Sequence, residues 1–184
     1  MAWAGAVFAS VAFAAALVSC HPAPAKTKKP LVSETQVASL CTLVSYDDAT
    51  KVLGAPPVGS MDTSDHGALN PGCSWMAETK SLGETPRMLV FTVWRKKSLD
   101  IQGAPMSGQV LYQDDQGDIR DEFGEASPLY GAGDEGVIGF APGDKGVMRG
   151  KIVARKGEDV LTMQLTGADR ATFEDIARKI AKAM

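Results

Sequence analysis

Residues 135–184 constrain the fold more tightly than any other part of this sequence. "VMRGKIVARK" and "VLTMQL" are two runs of strand-forming residues separated only by "GED". A connection that short cannot carry the chain over a sheet, so the two runs must pair as an antiparallel hairpin. Met148, Ile152 and Ala154 fall on one side of the first run, and Leu161, Met163 and Leu165 on one side of the second. Pairing aligns them into a single apolar face. The chain then reads "DRATFEDIARKIAKAM", in which Phe173, Ile176, Ala177, Ile180 and Ala181 recur at helical spacing behind an Asp169 cap. This predicts a helix over 169–184 whose apolar stripe lies on the hairpin.

Upstream, two shorter helices are expected. "SETQVASLCTLV" has Ser33 and Gln36 at capping-box spacing, with Val37, Leu40, Cys41 and Val44 on one face. In "SYDDATKVLGAPP", Ser45 can cap, Asp47 and Asp48 suit the positive helix start, and Val52 and Leu53 face inward. Gly54 stops that helix, and Pro56 and Pro57 prevent its resumption. Residues 58–72 read as a loop. "CSWMAETK" alternates as a strand, "RMLVFTVWR" reads as a central strand, and "EGVIGF" is a further strand entering the hairpin. Between them, "QDDQGDIRDEFGE" can carry a short helix with Ile119 and Phe123 inward. The sum is a single α+β domain over residues 33–184. It has an antiparallel sheet of about five strands, with the N-terminal short helices and the C-terminal helix packed on one face.

The N-terminus is different in kind. Ala2 to Val18 is apolar and uncharged and ends in "LVSC". The stretch sits at the lower edge for a membrane-spanning helix and matches the apolar region of a signal peptide. Leu, a small or aliphatic residue, Ser and then Cys resembles the processing site of bacterial lipoproteins. That resemblance implies removal of residues 1–19 and lipidation of Cys20. Several acyl chains hold a membrane where one does not. "MAW" supplies no basic residue ahead of the apolar run, so a plain secreted protein and an uncleaved anchor helix stay open. Residues 20–32, with Pro22, Pro24 and Pro30 and three lysines, read as a semi-extended tether. The chain carries a net charge of −3, and its tether lysines have no acid beside them. The domain beyond is therefore more acidic still, which excludes the concentrated basic face that nucleic acid requires.

Cys41 and Cys73 remain in the exported part. Export to an oxidising compartment favours a bridge between them over two buried thiols. It would close a loop of roughly 33 residues, worth about 3–4 kcal/mol. "CTLVSYDDATKVLGAPP", "CSW", "GAGDEG" and "VARKGEDVLTMQL" before a closing helix resemble the actinobacterial-type envelope lipoproteins that carry a domain of unknown function. Those proteins have a Cys before a short helix ending in Leu-Gly, a Cys-x-Trp, a Gly-x-Gly-Asp segment and a hairpin before the last helix. The likeness spans most of residues 38–184. It implies export, lipidation and a disulfide, and supplies no reaction.

Motifs that could carry chemistry fail on context. "GAGDEG" at 131–136 fits a dinucleotide fingerprint by letter, but strand and turn follow it where a helix is required. It reads instead as a tight turn entering a strand. With Gly117 at position 6 of a calcium loop, Tyr112 and Phe123 would occupy positions 1 and 12, so that loop fails. Asp114, Asp115, Asp118, Asp121 and Glu122 read as a solvated acidic loop. His66, beside Asp65, is the one histidine of the domain, which excludes a two-histidine zinc site there. Trp75 and Trp94 read as core, and Arg95–Lys97 as a solvated strand end. No cofactor and no metal site is expected.

The leading expectation is a lipid-anchored, non-catalytic binding or envelope-assembly module, facing the periplasm or exterior. Its partner would be an envelope protein or small ligand. A small-ligand or lipid carrier would need an apolar cavity between sheet and helix. A carboxylate-based exported hydrolase would need paired carboxylates near 114–125.

Overall fold

The computed structural model describes residues 39–64, 70–79, 83–96 and 106–184, which belong to one compact unit, Thr35–Met184. Cys20, His66, Asp65, Lys97 and the Ser33–Gln36 capping pair lie outside the described residues.

The domain is α+β, as expected, but its antiparallel sheet has seven strands rather than about five. They are β1 (Pro57–Asp62), β2 (Gly72–Ala77), β3 (Met88–Trp94), β4 (Ser127–Pro128), β5 (Glu135–Pro142), β6 (Met148–Lys156) and β7 (Asp159–Gly167). The spatial order is β1-β2-β3-β7-β6-β5-β4, with every neighbouring pair antiparallel. Two of the strands escape a sequence reading. β1 falls in the segment expected to be loop. It lies at the sheet edge, and beyond Pro57 its side chains are exposed, so no apolar alternation marks it. Pairing with β2 makes it a strand, through a register shift between Pro57 and Gly59. β4 is two residues long, too short to show a period.

The described residues form three α-helices: α1 (Tyr46–Leu53), α2 (Gly108–Phe123) and α3 (Arg170–Ala183). α1 starts at a complete capping box, with Ser45 Oγ accepting from the Asp48 N–H and Asp48 reaching back to the Ser45 N–H. It ends at Gly54 in the left-handed region, φ 68°. Leu40–Leu43, expected to be α-helical, is a single 3₁₀ turn capped by Ser39. α2 is longer than the short helix expected there, and Ser107 caps it.

α1 and α3 lie on one face of the sheet. There Leu89, Phe91 and Val93 of β3 and Leu161, Met163 and Leu165 of β7 meet Phe173, Ile176 and Ile180 of α3. The hairpin register is the one the apolar pattern requires: Ile152 opposite Met163 and Ala154 opposite Leu161. α2 packs on the opposite face, where Tyr112 and Ile119 meet Val137, Val153 and Val160. α1 and α3 thus share one face, as expected of the N-terminal and C-terminal helices, and α2, for which the sequence reading gave no face, covers the other.

Two glycines on neighbouring strands let the helices approach from both sides. A Cβ on Gly150 of β6 would stand 2.6 Å from Phe140 and 2.9 Å from Phe173. A Cβ on Gly139 of β5 would stand 2.5 Å from Phe123 and 2.7 Å from Ile119. Each absent side chain is thus the seat of an aromatic ring from the covering helix.

Cys41 and Cys73 form a disulfide, with Cα atoms 5.3 Å apart. It joins the 3₁₀ turn to β2. Replacing both cysteines with alanine should lower stability by roughly 3–4 kcal/mol without unfolding the domain, read by urea denaturation. Phe173→Ala, at a fully buried site, should cost about 3–5 kcal/mol. Arg170→Ala, which removes a half-exposed ion pair to Glu174, should cost under about 1 kcal/mol. Equal melting temperatures for Phe173→Ala and wild type would refute the packing of α3.

Candidate functional site

α2 brings the acidic segment over β6. The acids expected to lie solvated in a loop stand on this helix, and Asp115, Asp118 and Glu122 are ion-paired. Asp115 and Asp118 stand one turn apart on the same helix face, and Lys151 of β6 lies beneath them. Its Nζ is 3.2 Å from Asp118 Oδ2 and 3.8 Å from Asp115 Oδ1. The side chains of Lys151 and Asp115 are only 12% and 16% exposed. Two residues along β6 on the same face, Arg149 pairs with Glu122 at 3.3 Å and places its guanidinium 5.8 Å from the centre of the Phe123 ring.

Burial pushes the Asp115 carboxyl above its ordinary 3.8. The Lys151 charge draws it down, while Asp118 and Asp114 push it up again. Asp115 Oδ2 is buried and accepts no hydrogen bond. Tyr112, on the same helix, is raised above 10.0 by burial and then by Glu135.

Beside the last turn of α2 a cavity of about 230 Å³ opens between Phe123, Met88, Gln164, Thr166 and Arg149. A second, of about 370 Å³, adjoins it between Thr85, Pro142, Asp144 and Val147. The two share Arg149 and Thr166 and form one trough across β3, β7 and β6. Its floor follows sheet register, with Met88 opposite Thr166 and Thr166 opposite Arg149. The walls mix apolar carbon with amide, hydroxyl and guanidinium groups. Such a lining can hold a small polar ligand or an extended chain segment. Its cations already face carboxylates, so it is not an anion trap.

Other residues singled out in the sequence fall elsewhere. Trp75 is buried in the main core. Trp94 is half-buried on the α2 side, its Nε1 donating to Thr162 Oγ1 at 3.3 Å. Arg95 is not a solvated strand end: it pairs with Asp159 and donates to the Met184 carbonyl at 3.4 Å. "GAGDEG" is a turn into β5, with Gly131 and Gly133 at positive φ. It is docked onto the β6–β7 hairpin. Asp134 N donates to Arg155 O at 2.8 Å, and Asp134 Oδ2 accepts from Gly157 N at 2.7 Å. A Cβ on Gly133 would stand 2.4 Å from Arg155 O. Its glycines thus serve backbone contact.

Among the described residues no three His, Cys, Asp or Glu side chains gather as a metal site, and no helix is long and apolar enough to cross a membrane. Comparison with protein-family models, with curated proteins and with solved structures finds no match for this chain.

Lys151, Arg149, Gln164 and Thr166 were not legible as site residues. In sequence they are the polar positions of two alternating strands, which read as solvent-facing. Only the docking of α2 covers the Lys151 side chain and sets the other three in the wall of a cavity.

The raised carboxyl fixes the sign of a pH effect. A carboxyl whose folded pKa lies above its unfolded one favours the fold when protonated. That contribution is complete below the unfolded value and is lost as pH rises through the folded one. The stability of wild type relative to Asp115→Asn should therefore fall as pH climbs from about 4 and level off once Asp115 is ionised. Urea melts across that range measure it, and a flat difference would refute a raised Asp115. Lys151→Met should cost roughly 2–3 kcal/mol at pH 7, less than a fully dry pair, and clearly less at pH 4.

Proposed function

We propose that this chain is an exported lipoprotein of the bacterial envelope, cut before Cys20 and anchored there by lipid. We read its domain as a non-catalytic binding or assembly module. The observation that carries the reading is "LVSC" closing an uncharged apolar run, with a Pro/Lys segment behind it. The Cys41–Cys73 disulfide supports it, because such bonds persist in oxidising compartments. The likeness to actinobacterial-type envelope lipoproteins points the same way. The trough beside α2 is the binding surface of this reading, its partner an envelope protein or a small ligand.

A specific observation also favours the small-ligand alternative. The larger cavity, about 370 Å³, falls within the range of small-molecule sites, and its mixed lining suits a small polar ligand rather than a lipid. A hydrolase draws less support, since Lys151 and Arg149 engage Asp115, Asp118 and Glu122 among the carboxylates it would use.

Cys20→Ala tests the anchor. Wild type should mature and sediment with membranes, and the variant should be released or accumulate as precursor. A variant that matures normally and stays with membranes would refute lipidation. Pulldown from detergent-solubilised envelope, with wild type against Gln164→Arg, tests the module. A partner held by wild type and lost with Gln164→Arg places binding in the trough, and one held equally by both places it elsewhere.

A further inference from the structure

Three methionines stand together on the α2 side of the sheet, at the end α2 does not occupy. Met76 of β2 lies directly opposite Met88 of β3. Ala77 N donates to Arg87 O in the adjoining pair, so Met76 and Met88 occupy a non-hydrogen-bonded position, where facing side chains come closest. Met61 of β1 pairs with Ser74, two residues along β2 from Met76. That places Met61 diagonal to Met76 on the same face, at about 7 Å. Met61 is 57% exposed and Met76 47%. Neither fills a core: their neighbours on that face are Gly59 and Ser74 with the partly buried Met88 and Val90, and Val58 at the β1 bulge is 67% exposed. Core packing therefore does not account for Met61 and Met76, and the chemistry of sulfur gives them a use.

We propose that Met61 and Met76, with Met88 behind them, form an oxidant-accepting surface, a site of reversible oxidation by hydrogen peroxide. The sulfur lone pair attacks one peroxide oxygen and the O–O bond breaks. The departing hydroxide takes the proton carried by the transferred oxygen and leaves as water. The thioether loses two electrons and becomes a sulfoxide, and the peroxide is reduced. Both described cysteines are already joined as a disulfide, which leaves thioethers as the readily oxidised sulfur among the described residues. The fold also separates the methionines by consequence. Met163 is fully buried between Phe91 and Ile152, where a sulfoxide would put a polar group into the core. At the half-exposed Met61 and Met76 the added oxygen can meet solvent and leaves the buried core untouched. The surface can take up oxidising equivalents while the core stays intact, and a dithiol-dependent sulfoxide reductase can restore it.

Timed exposure of the disulfide-bonded protein to dilute hydrogen peroxide, followed by peptide mass mapping and thermal melts, tests this. Met61 and Met76 should each gain one oxygen at least about tenfold faster than Met163, because they are exposed and Met163 is buried. The melting temperature should stay unchanged while only those two are oxidised, and sulfoxide reductase with dithiothreitol should remove the oxygens. Met61→Leu/Met76→Leu should fold as wild type does and consume less peroxide. Three results would each overturn the proposal: Met163 keeping pace, a melting temperature that falls with the first two oxygens, or unchanged peroxide consumption in the double variant.

Discussion

The fold depends on the pairing of β7 with β3. On one side of that seam lie β1, β2 and β3, and on the other β4, β5 and β6. Each set is joined to itself by pairings between consecutive strands. β7 alone joins the two sets, hydrogen-bonded to β3 from Val160 to Thr166 and to β6 from Asp159 to Gly167. Its partner β3 lies far back in the chain, so the seam carries the largest loop-closure cost in the sheet. The compensation is burial. Leu161, Met163 and Leu165 face α3, while Val160 faces α2, and the seam is the line along which both cores meet.

Where one side chain decided an element, the sequence was legible. Ser45, Gly54 and Asp169 mark helix ends by capping chemistry that needs no tertiary partner, and each does so in the structure. The β6–β7 hairpin and α3 were legible because a three-residue turn and a helical stripe admit one arrangement. β1 was not, because an edge strand with exposed side chains is made by its neighbour's hydrogen bonds. The length of α2 was hidden for a similar reason. Its polar residues and Gly117 lower helix propensity, and the contacts that stabilise it, Ile119 and Phe123 against Gly139, lie in another element.

The trough shows the same division more sharply. Asp115 and Asp118 were visible as acids, but their meaning changed when Lys151 appeared beneath them. A charge run that reads as solvent-facing becomes part of a helix–sheet contact once its partner strand brings cations to the same place. The Asp115–Lys151 pair contributes less to net stability than to position, since a buried pair roughly balances attraction against lost hydration. It fixes the turn of α2 from which Glu122 and Phe123 project into the trough wall.

The disulfide has a mechanical consequence. Cys41 stands just before α1, and Cys73 is an early residue of β2, a strand hydrogen-bonded on both sides. The intervening residues, all of α1 and β1, lie inside a covalently closed ring. Tension arriving from the N-terminal side passes through sulfur to β2 and the strands behind it, bypassing α1 and β1. The helix that covers the core and the strand that ends the sheet are thus spared the load, which falls on β2 and the six-stranded ladder it begins.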